Sequence, residues 1–403
     1  MSVTGRRVRL EAVTEHASVT PLELFFDLVF VFAITQVSAL MAADLTGRGV
    51  LRGLLVLGLL WWSWVGYAWL GNVVRADEGA PRMVLLAAMT TMFVLAVAIP
   101  EAFDDRPGGL SGPVLVACCY FAVRVLHLAL FWIISQDDPG LRRQLVRFVP
   151  SMLGGTILLL AASQFTGSAQ TGLWALALAA DYGGTFLAGS SGWRLRSAEH
   201  FAERHGLIVI VALGESIVAI GVGVGGLPIS WPILAAAALG LAVSAALWWA
   251  YFDVSALLAG QALAAEAAAL RPRLARDAYS YLHLPMIAGI VLLALGLKKV
   301  LEYVGDAHHH HLDDPLTDVG LYALYAGTGL YLLAHVVFKL RTTGRLNLPR
   351  LVATVVLVAL APVAARLPAL AALGTLTVLV VGLVAVETRR LAVERTRIRH
   401  QTD

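Results

Sequence analysis

Long apolar runs separated by short polar segments recur along the whole chain and exclude a water-soluble globule. Of the 403 residues, 59% are hydrophobic and 14% are charged, whereas a soluble domain carries about 25% charged residues. A helix that crosses a bilayer needs a run of about 17–25 apolar residues. The chain predicts twelve such spans, at 24–43, 51–71, 82–100, 113–135, 148–163, 172–190, 206–225, 231–253, 281–299, 319–339, 349–365 and 368–386. The predicted fold class is therefore an all-α polytopic membrane protein whose partner is the lipid bilayer.

The placement of basic residues predicts the orientation of these spans. Cytoplasmic segments of membrane proteins carry an excess of Lys and Arg. With the N-terminus inside, the outer segments hold six of the 30 Lys and Arg residues: Arg48, Arg52, Arg106, Lys298, Lys299 and Arg366. Arg124 lies within a span, and the other 23 fall in inner segments, among them Arg6, Arg7, Arg9 and Arg204. Both termini are therefore predicted to be cytoplasmic.

An internal repeat accounts for an even number of spans. The chain is predicted to contain a first six-helix repeat at 1–190, a cytoplasmic linker at 191–203 and a second repeat at 204–403. Because each unit has six spans, the two units would run parallel in the membrane. Three echoes occur in the same order in both halves: Glu23 and Glu203, Leu60–Trp64 and Leu247–Tyr251, and His127 and His335.

Ionisable groups within the spans are the candidate functional residues. A charged side chain at mid-bilayer costs roughly 2.5–3.5 kcal/mol on insertion scales, so each one calls for an explanation. Asp27, Asp181 and Glu215 are predicted to exchange protons or ions during transport. The alternatives are an internal hydrogen-bonded seam for Asp27 and a structural ion pair for Glu215, with Arg124 as the obvious partner. The predicted supporting network comprises Glu23, Thr35, Ser38, Arg124, His127, Glu203, His283 and His335.

Other motifs favour structural interpretations. The Trp61, Trp62, Trp64 and Trp69 cluster predicts interfacial anchoring and packing. His308–His311, near Asp313 and Asp314, is interpreted as a solvated low-complexity loop and not as a metal site. The sequence shows no Walker loop, dinucleotide fingerprint, nucleophile elbow or zinc spacing. No metal, cofactor or nucleic-acid partner is predicted, and homo-oligomerisation is left open.

Three motifs resemble the bacterial low temperature requirement protein A (LtrA) family. They are Glu-Leu-Phe-Phe-Asp from Glu23, Glu-Arg-His-Gly-Leu from Glu203 and Tyr-Leu-His-Leu-Pro from Tyr281. The resemblance spans nearly the whole chain. It implies a multi-pass protein of the bacterial inner membrane, in a family named for growth in the cold.

A more distant similarity suggests a mechanism. Phe26-Asp27 followed by Ala33-Ile34 resembles the pore-helix signature of the two-repeat lysosomal potassium/proton channel family. Span seven departs from that signature, because Gly206-Leu207 stands at the matching place. The similarity implies a pore lined by the first helix of each repeat, as an analogy of architecture.

The sequence therefore predicts ion- or proton-linked transport, by a channel or a carrier, along a polar path between helices one and seven. The transported partner would be a small cation or a proton. Two alternatives stay open. One is a membrane-embedded enzyme that acts on lipid through a histidine and a carboxylate, and the other is a structural or cold-adaptation scaffold. An enzyme is the less favoured of these classes.

Overall fold

A computed structural model describes residues 18–75, 77–306, 308–316 and 318–390. These residues are predominantly helical and contain no β-strand. The all-helical class predicted from the sequence is therefore confirmed. The N-terminal Arg6, Arg7 and Arg9 and the C-terminal tail from residue 391 onward, which the prediction placed in the cytoplasm, lie outside the described residues.

Long apolar helices separated by short turns make up the described chain. The α-helices are α1 (Pro21–Ala43), α2 (Gly47–Gly71), α3 (Gly79–Ala98), α4 (Gly112–Ile134), α5 (Pro139–Ala162), α6 (Gly167–Ala188), α7 (Ala198–Gly223), α8 (Trp231–Phe252), α9 (Ser255–Ala265), α10 (Arg271–Leu274), α11 (His283–Gly305), α12 (Asp318–Thr343), α13 (Leu348–Ala364) and α14 (Ala369–Arg390). Short 3₁₀ turns follow α3 and α4, and a π-helical turn, Ala275–Tyr281, joins α10 to α11.

Each of the twelve predicted spans coincides with one long helix, namely α1 to α8 and α11 to α14. Within the described chain, ten helical segments are long and apolar enough to cross a membrane. α13, with 17 residues, is a shorter apolar helix, and α6 is not among the ten. The structure thus supports a multi-pass membrane protein.

The first of two compact units contains residues 18–37, 54–204 and 266–276. Consecutive helices α3 to α6 pack against one another in chain order. α2 is largely buried, with 89% of its most apolar window inside the protein. The Tyr67 hydroxyl donates to the Val123 carbonyl at 3.0 Å and joins α2 to α4. The Tyr182 hydroxyl donates to the Gly58 carbonyl at 2.7 Å and joins α2 to α6.

The second unit contains residues 38–53, 205–265 and 277–390. Consecutive helices α11 to α14 again pack in chain order, and α8 contacts α11 and α14. The Tyr331 hydroxyl donates to the Leu247 carbonyl at 2.8 Å and joins α12 to α8. The hydroxyls of Ser216 and Ser244 lie 2.8 Å apart and join α7 to α8.

The start of α5 is fixed by a side-chain cap. The Asp138 carboxylate accepts the backbone N–H groups of Gly140 and Leu141, both at 3.1 Å, and so caps α5. Arg194 donates a hydrogen bond to the same carboxylate. This guanidinium, together with the capped N–H groups, holds the pKa of Asp138 below its ordinary value.

Helix α7 begins earlier than the sequence predicted. Its first residue is Ala198, so residues 198–203 of the predicted linker are helical. The charged residues of this stretch lower its hydropathy, and a hydropathy criterion therefore places the start of the span too late. This early start brings His200 and Arg204 onto a helix.

The tryptophan cluster of α2 packs inside the first unit. Trp61, Trp62, Trp64 and Trp69 are all buried. Trp62 stacks on the ring of Tyr182 at 4.1 Å. The packing prediction is therefore confirmed, and interfacial anchoring of these residues stays a prediction.

Candidate functional site

A buried acid–base pair joins the start of α1 to the start of α7. Nε2 of His200 lies 3.1 Å from each carboxylate oxygen of Glu23. The backbone N–H and hydroxyl of Thr20 donate to the same carboxylate at 2.9 and 3.0 Å. Glu23 and His200 are both buried. The carboxylate is thus held by three donors away from bulk water.

One helical turn further along, Asp27 pairs with Arg204. The two terminal nitrogens of Arg204 donate to the two carboxylate oxygens at 3.1 and 3.2 Å, in a bidentate arrangement. The indole N–H of Trp64 donates to Asp27 at 2.8 Å. The Arg204 guanidinium carbon lies 5.5 Å from the Trp64 ring centroid, within cation–π range. Asp27 and Arg204 are 3% and 1% exposed.

Asn72, directly after α2, positions the start of α7. Its carbonyl oxygen accepts the backbone N–H groups of Arg196 and Ser197 at 2.8 and 3.4 Å. Its amide nitrogen donates to the Ser197 carbonyl at 2.6 Å and lies 3.4 Å from Nδ1 of His200. An amide N–H donor facing Nδ1 requires a lone pair there, which places the proton of a neutral imidazole on Nε2. His200 then donates to Glu23.

The four ionisable groups, hereafter the α1/α7 cluster (Glu23, Asp27, His200 and Arg204), do not balance in charge. With both carboxyls ionised and the imidazole neutral, the cluster carries one net negative charge. A buried charge without a counter-charge has a high free-energy cost, and one added proton would neutralise the net charge of the cluster. Glu23 is the carboxyl further from the fixed cation, with 4.0 Å between its Oε1 and Nε of Arg204. Glu23 and His200 are therefore the two groups of the cluster that make no direct hydrogen bond to the guanidinium.

Glycine at position 71 lets α1 and α2 approach at this point. A Cβ atom on Gly71 would overlap Oε1 of Glu23. A larger residue at this position would displace the carboxylate from His200, so the sequence needs glycine here for close approach.

A second buried ion pair in the first unit joins α4 to α6. NH2 of Arg124 donates to Asp181 at 3.1 Å, and the Tyr120 hydroxyl donates to the other carboxylate oxygen. The Arg124 guanidinium carbon lies 4.5 Å from the Phe148 ring centroid. Arg124 does neutralise an acid on another helix, as predicted. That acid is Asp181, so the predicted pairing of Arg124 with Glu215 was wrong. The reason is that hydropathy does not reveal which helices are neighbours.

His127 and His335, the histidines that echo each other in the two halves, are fully buried in their own units. Neither ring nitrogen of either residue has a hydrogen-bond partner among the described residues. The His127 ring packs over Gly66, where a Cβ would lie 3.2 Å from Nε2. The His335 ring lies 5.7 Å from that of Tyr251. Both imidazoles therefore sit in mainly aromatic surroundings.

His283 is held at both ring nitrogens. Nδ1 lies 3.1 Å from the Ala278 carbonyl, within the π-helical turn, and Nε2 lies 2.8 Å from the Tyr251 hydroxyl. A carbonyl only accepts, so Nδ1 carries the proton and the Tyr251 hydroxyl donates to Nε2. This arrangement engages both nitrogens of a neutral imidazole.

The remaining predicted residues lie outside the α1/α7 cluster. Glu215 is buried on α7 in the second unit, at 3% exposure, and Ser38 is also buried. The Thr35 hydroxyl donates to a backbone carbonyl of its own helix at 3.1 Å. Glu203 is exposed and accepts the backbone N–H of Val19 at 3.2 Å.

Sequence reasoning missed two members of the cluster, His200 and Arg204, and two residues that contact it, Trp64 and Asn72. A usable signal was present. Glu23 and Asp27 are four residues apart, as are His200 and Arg204. Residues spaced by four share a helix face, so an acidic pair on one helix matched a basic pair on another.

The described chain contains no group of three or more His, Cys, Asp or Glu residues placed to hold a metal ion. The two cysteines, Cys118 and Cys119, are free thiols.

Comparison with known proteins places the chain in a family. Residues 18–385 match the profile of "Bacterial low temperature requirement A protein (LtrA)". The chain belongs to the LtrA family. The resemblance inferred from the three sequence motifs is thereby confirmed.

The LtrA chain is also similar to a curated protein. It is 30% identical over 292 residues to "Uncharacterized protein RA0937" of Rhizobium meliloti (strain 1021). The match covers 68% of this chain and 67% of the relative. No solved structure matches the chain.

Proposed function

We propose that this LtrA protein is a twelve-span protein of the bacterial inner membrane, built as two parallel six-helix repeats with both termini in the cytoplasm. Contacts between corresponding helices recur within each unit and support this proposal, although the tyrosine lies on the second helix in one unit and on the fourth in the other. A buried tyrosine, Tyr67 in one unit and Tyr331 in the other, joins the second helix of the predicted repeat to its fourth helix. In both units the third to sixth helices pack in chain order.

We propose that the protein carries out proton-linked transport and that the α1/α7 cluster exchanges the proton. The charge imbalance of the cluster is the observation that carries this proposal. Two buried carboxyls face one fixed cation and one titratable imidazole, so the neutral state needs one proton that the ion pairs do not supply. Buried ionisable groups in membrane helices commonly mark proton or ion pathways.

The proposal gives the buried groups different roles. The Glu23–His200 pair gains and loses the proton. Asp27 stays ionised because Arg204 and Trp64 donate three hydrogen bonds to it. Asp181 keeps a fixed charge opposite Arg124 and supports the fold of the first unit. Glu215 is the proposed exchanging acid of the second unit.

Proton flux into proteoliposomes tests the proposed function. Purified protein is reconstituted with a pH-sensitive dye inside the vesicles, and an outward potassium gradient with an ionophore sets the potential. Wild-type vesicles are expected to take up protons faster than empty vesicles, while E23Q and E215Q fall to the empty-vesicle rate. E199Q removes an exposed acid next to His200 and is expected to keep the wild-type rate.

The outcomes of this assay separate transport from its alternatives. Wild-type flux equal to that of empty vesicles would contradict transport and favour a structural scaffold. One observation supports a scaffold as the second candidate: Asp27 and Asp181 are each paired with an arginine. Proton flux that is the same in E23Q as in the wild type would contradict only the role proposed for Glu23.

A further inference from the structure

A small cavity in the first unit lies against the α1/α7 cluster. Glu23 and Arg204 are its charged lining residues, and the rest of the lining is mainly apolar: Phe26, Tyr67, Leu70, Gly71, Val74, Pro81, Leu85 and Leu130. The space open to the centre of a water molecule is about 10 Å³. A cavity needs about 10–15 Å³ by this measure to hold one water. The space therefore fits one water and no larger ligand.

A polar atom of the cluster is available to such a water. Nε of Arg204 is buried and has no hydrogen-bond partner in the described part of the chain. It lies 4.0 Å from Oε1 of Glu23, beyond direct hydrogen-bond distance. A water placed between the two atoms would accept from the Nε–H and donate to the carboxylate, and so satisfy both groups.

We propose that this cavity binds one water molecule between Arg204 and Glu23, and that the ion exchanged at the cluster is consequently a proton and not an alkali cation. The inference rests on the proposed transport function and narrows its substrate. A hydronium formed at the water transfers its proton to the Glu23 carboxylate. One O–H bond of the hydronium breaks, one carboxyl O–H bond forms, and the neutral water stays in place.

The lining of the cavity disfavours a metal cation. Hard cations bind in proteins through several oxygen ligands. Here the side-chain oxygens are the Glu23 carboxylate and the Tyr67 hydroxyl, and that hydroxyl already donates to the Val123 carbonyl. A proton requires only the carboxylate and its water.

A cavity-filling substitution offers the sharpest structural test. V74I adds a methylene to the lining without altering the charged residues. V65I adds the same group at a buried position of α2 that does not line the cavity. Experimental maps of the protein in lipid nanodiscs are expected to show water density between Arg204 and Glu23 in the wild type and in V65I. The density should be lost in V74I, and its absence from the wild type would overturn the proposal.

Ion selectivity provides the second test. Proteoliposomes that contain wild type, V74I, V65I or E23Q are prepared in parallel. The flux of protons, of rubidium and of sodium is measured for each protein. We expect proton flux alone to depend on Glu23, and V74I to lower it about tenfold relative to V65I, equivalent to a barrier change of about 1.4 kcal/mol. Rubidium or sodium flux that is lost in E23Q would overturn this inference and leave transport standing. Proton flux that E23Q leaves unchanged would overturn this inference and the role of Glu23, and would leave transport standing. Wild-type flux no faster than that of empty vesicles would overturn the proposed function and the inference together.

Discussion

Replacing Arg204 by leucine is expected to lower the free energy of unfolding by about 3–5 kcal/mol, as found when one partner of a buried ion pair is removed. The substitution removes both guanidinium hydrogen bonds to Asp27 and leaves two carboxyls without their fixed cation. Reversible unfolding in mixed detergent micelles, compared with wild type, measures the difference. R204K keeps the positive charge but cannot form the bidentate pair with Asp27, so it should lower the free energy of unfolding by less than R204L does.

The double variant D27N/R204L separates charge from packing. If the large effect comes from an uncompensated carboxylate, neutralising Asp27 should recover part of the stability lost in R204L, and a double-mutant cycle would show coupling between the two sites. A stability of R204L within about 0.5 kcal/mol of wild type, the range of ordinary surface substitutions, would contradict the importance of the pair.

Replacing Gly327 by alanine is expected to disrupt the second unit. α11 and α12 approach so closely that a Cβ on Gly327 would lie 2.7 Å from Cβ of Leu292 and 2.8 Å from the backbone nitrogen of Leu293. Gly289 makes the reciprocal approach, with a Cβ position 2.6 Å from the Gly327 carbonyl oxygen. Because backbone atoms cannot rotate away, the loss of stability should reach or exceed the upper end of ordinary overpacking, about 3 kcal/mol.

Gly329, on the same helix, provides a matched control. A Cβ there would approach the Thr354 methyl group to 4.0 Å, an ordinary contact. G329A should therefore be neutral, or more stable by up to about 1 kcal/mol through helix propensity. Thermal unfolding followed by size-exclusion chromatography compares the two variants. Equal stability of G327A and G329A would contradict the backbone packing of α11 on α12.

The helices of this protein are largely predictable from sequence because the membrane imposes a strong and local requirement. Apolar length alone identified twelve helical runs, and each of them is helical in the structure. The same requirement makes helix ends hard to place when charged residues lie within them. Arg204 was assigned to a cytoplasmic segment, whereas it lies in the second turn of α7 and is 1% exposed.

The candidate site was predictable only in part. Glu23 and Asp27 stood out because carboxyls are rare in membrane helices. Their partners depend on which helices are neighbours, and hydropathy carries no information on tertiary contacts. For this reason Arg124 was paired with the wrong acid, and the contribution of Trp64 to Asp27 was missed.

The central claim is that the Glu23–His200 pair takes up and releases one proton inside the membrane. Infrared difference spectroscopy of the protein in bilayers, recorded between alkaline and acidic pH, measures this directly through the carbonyl stretch of a protonated carboxyl group. We expect a pH-dependent carboxyl band in the wild type that is missing from E23Q. Identical difference spectra for wild type and E23Q across the whole pH range would contradict the account.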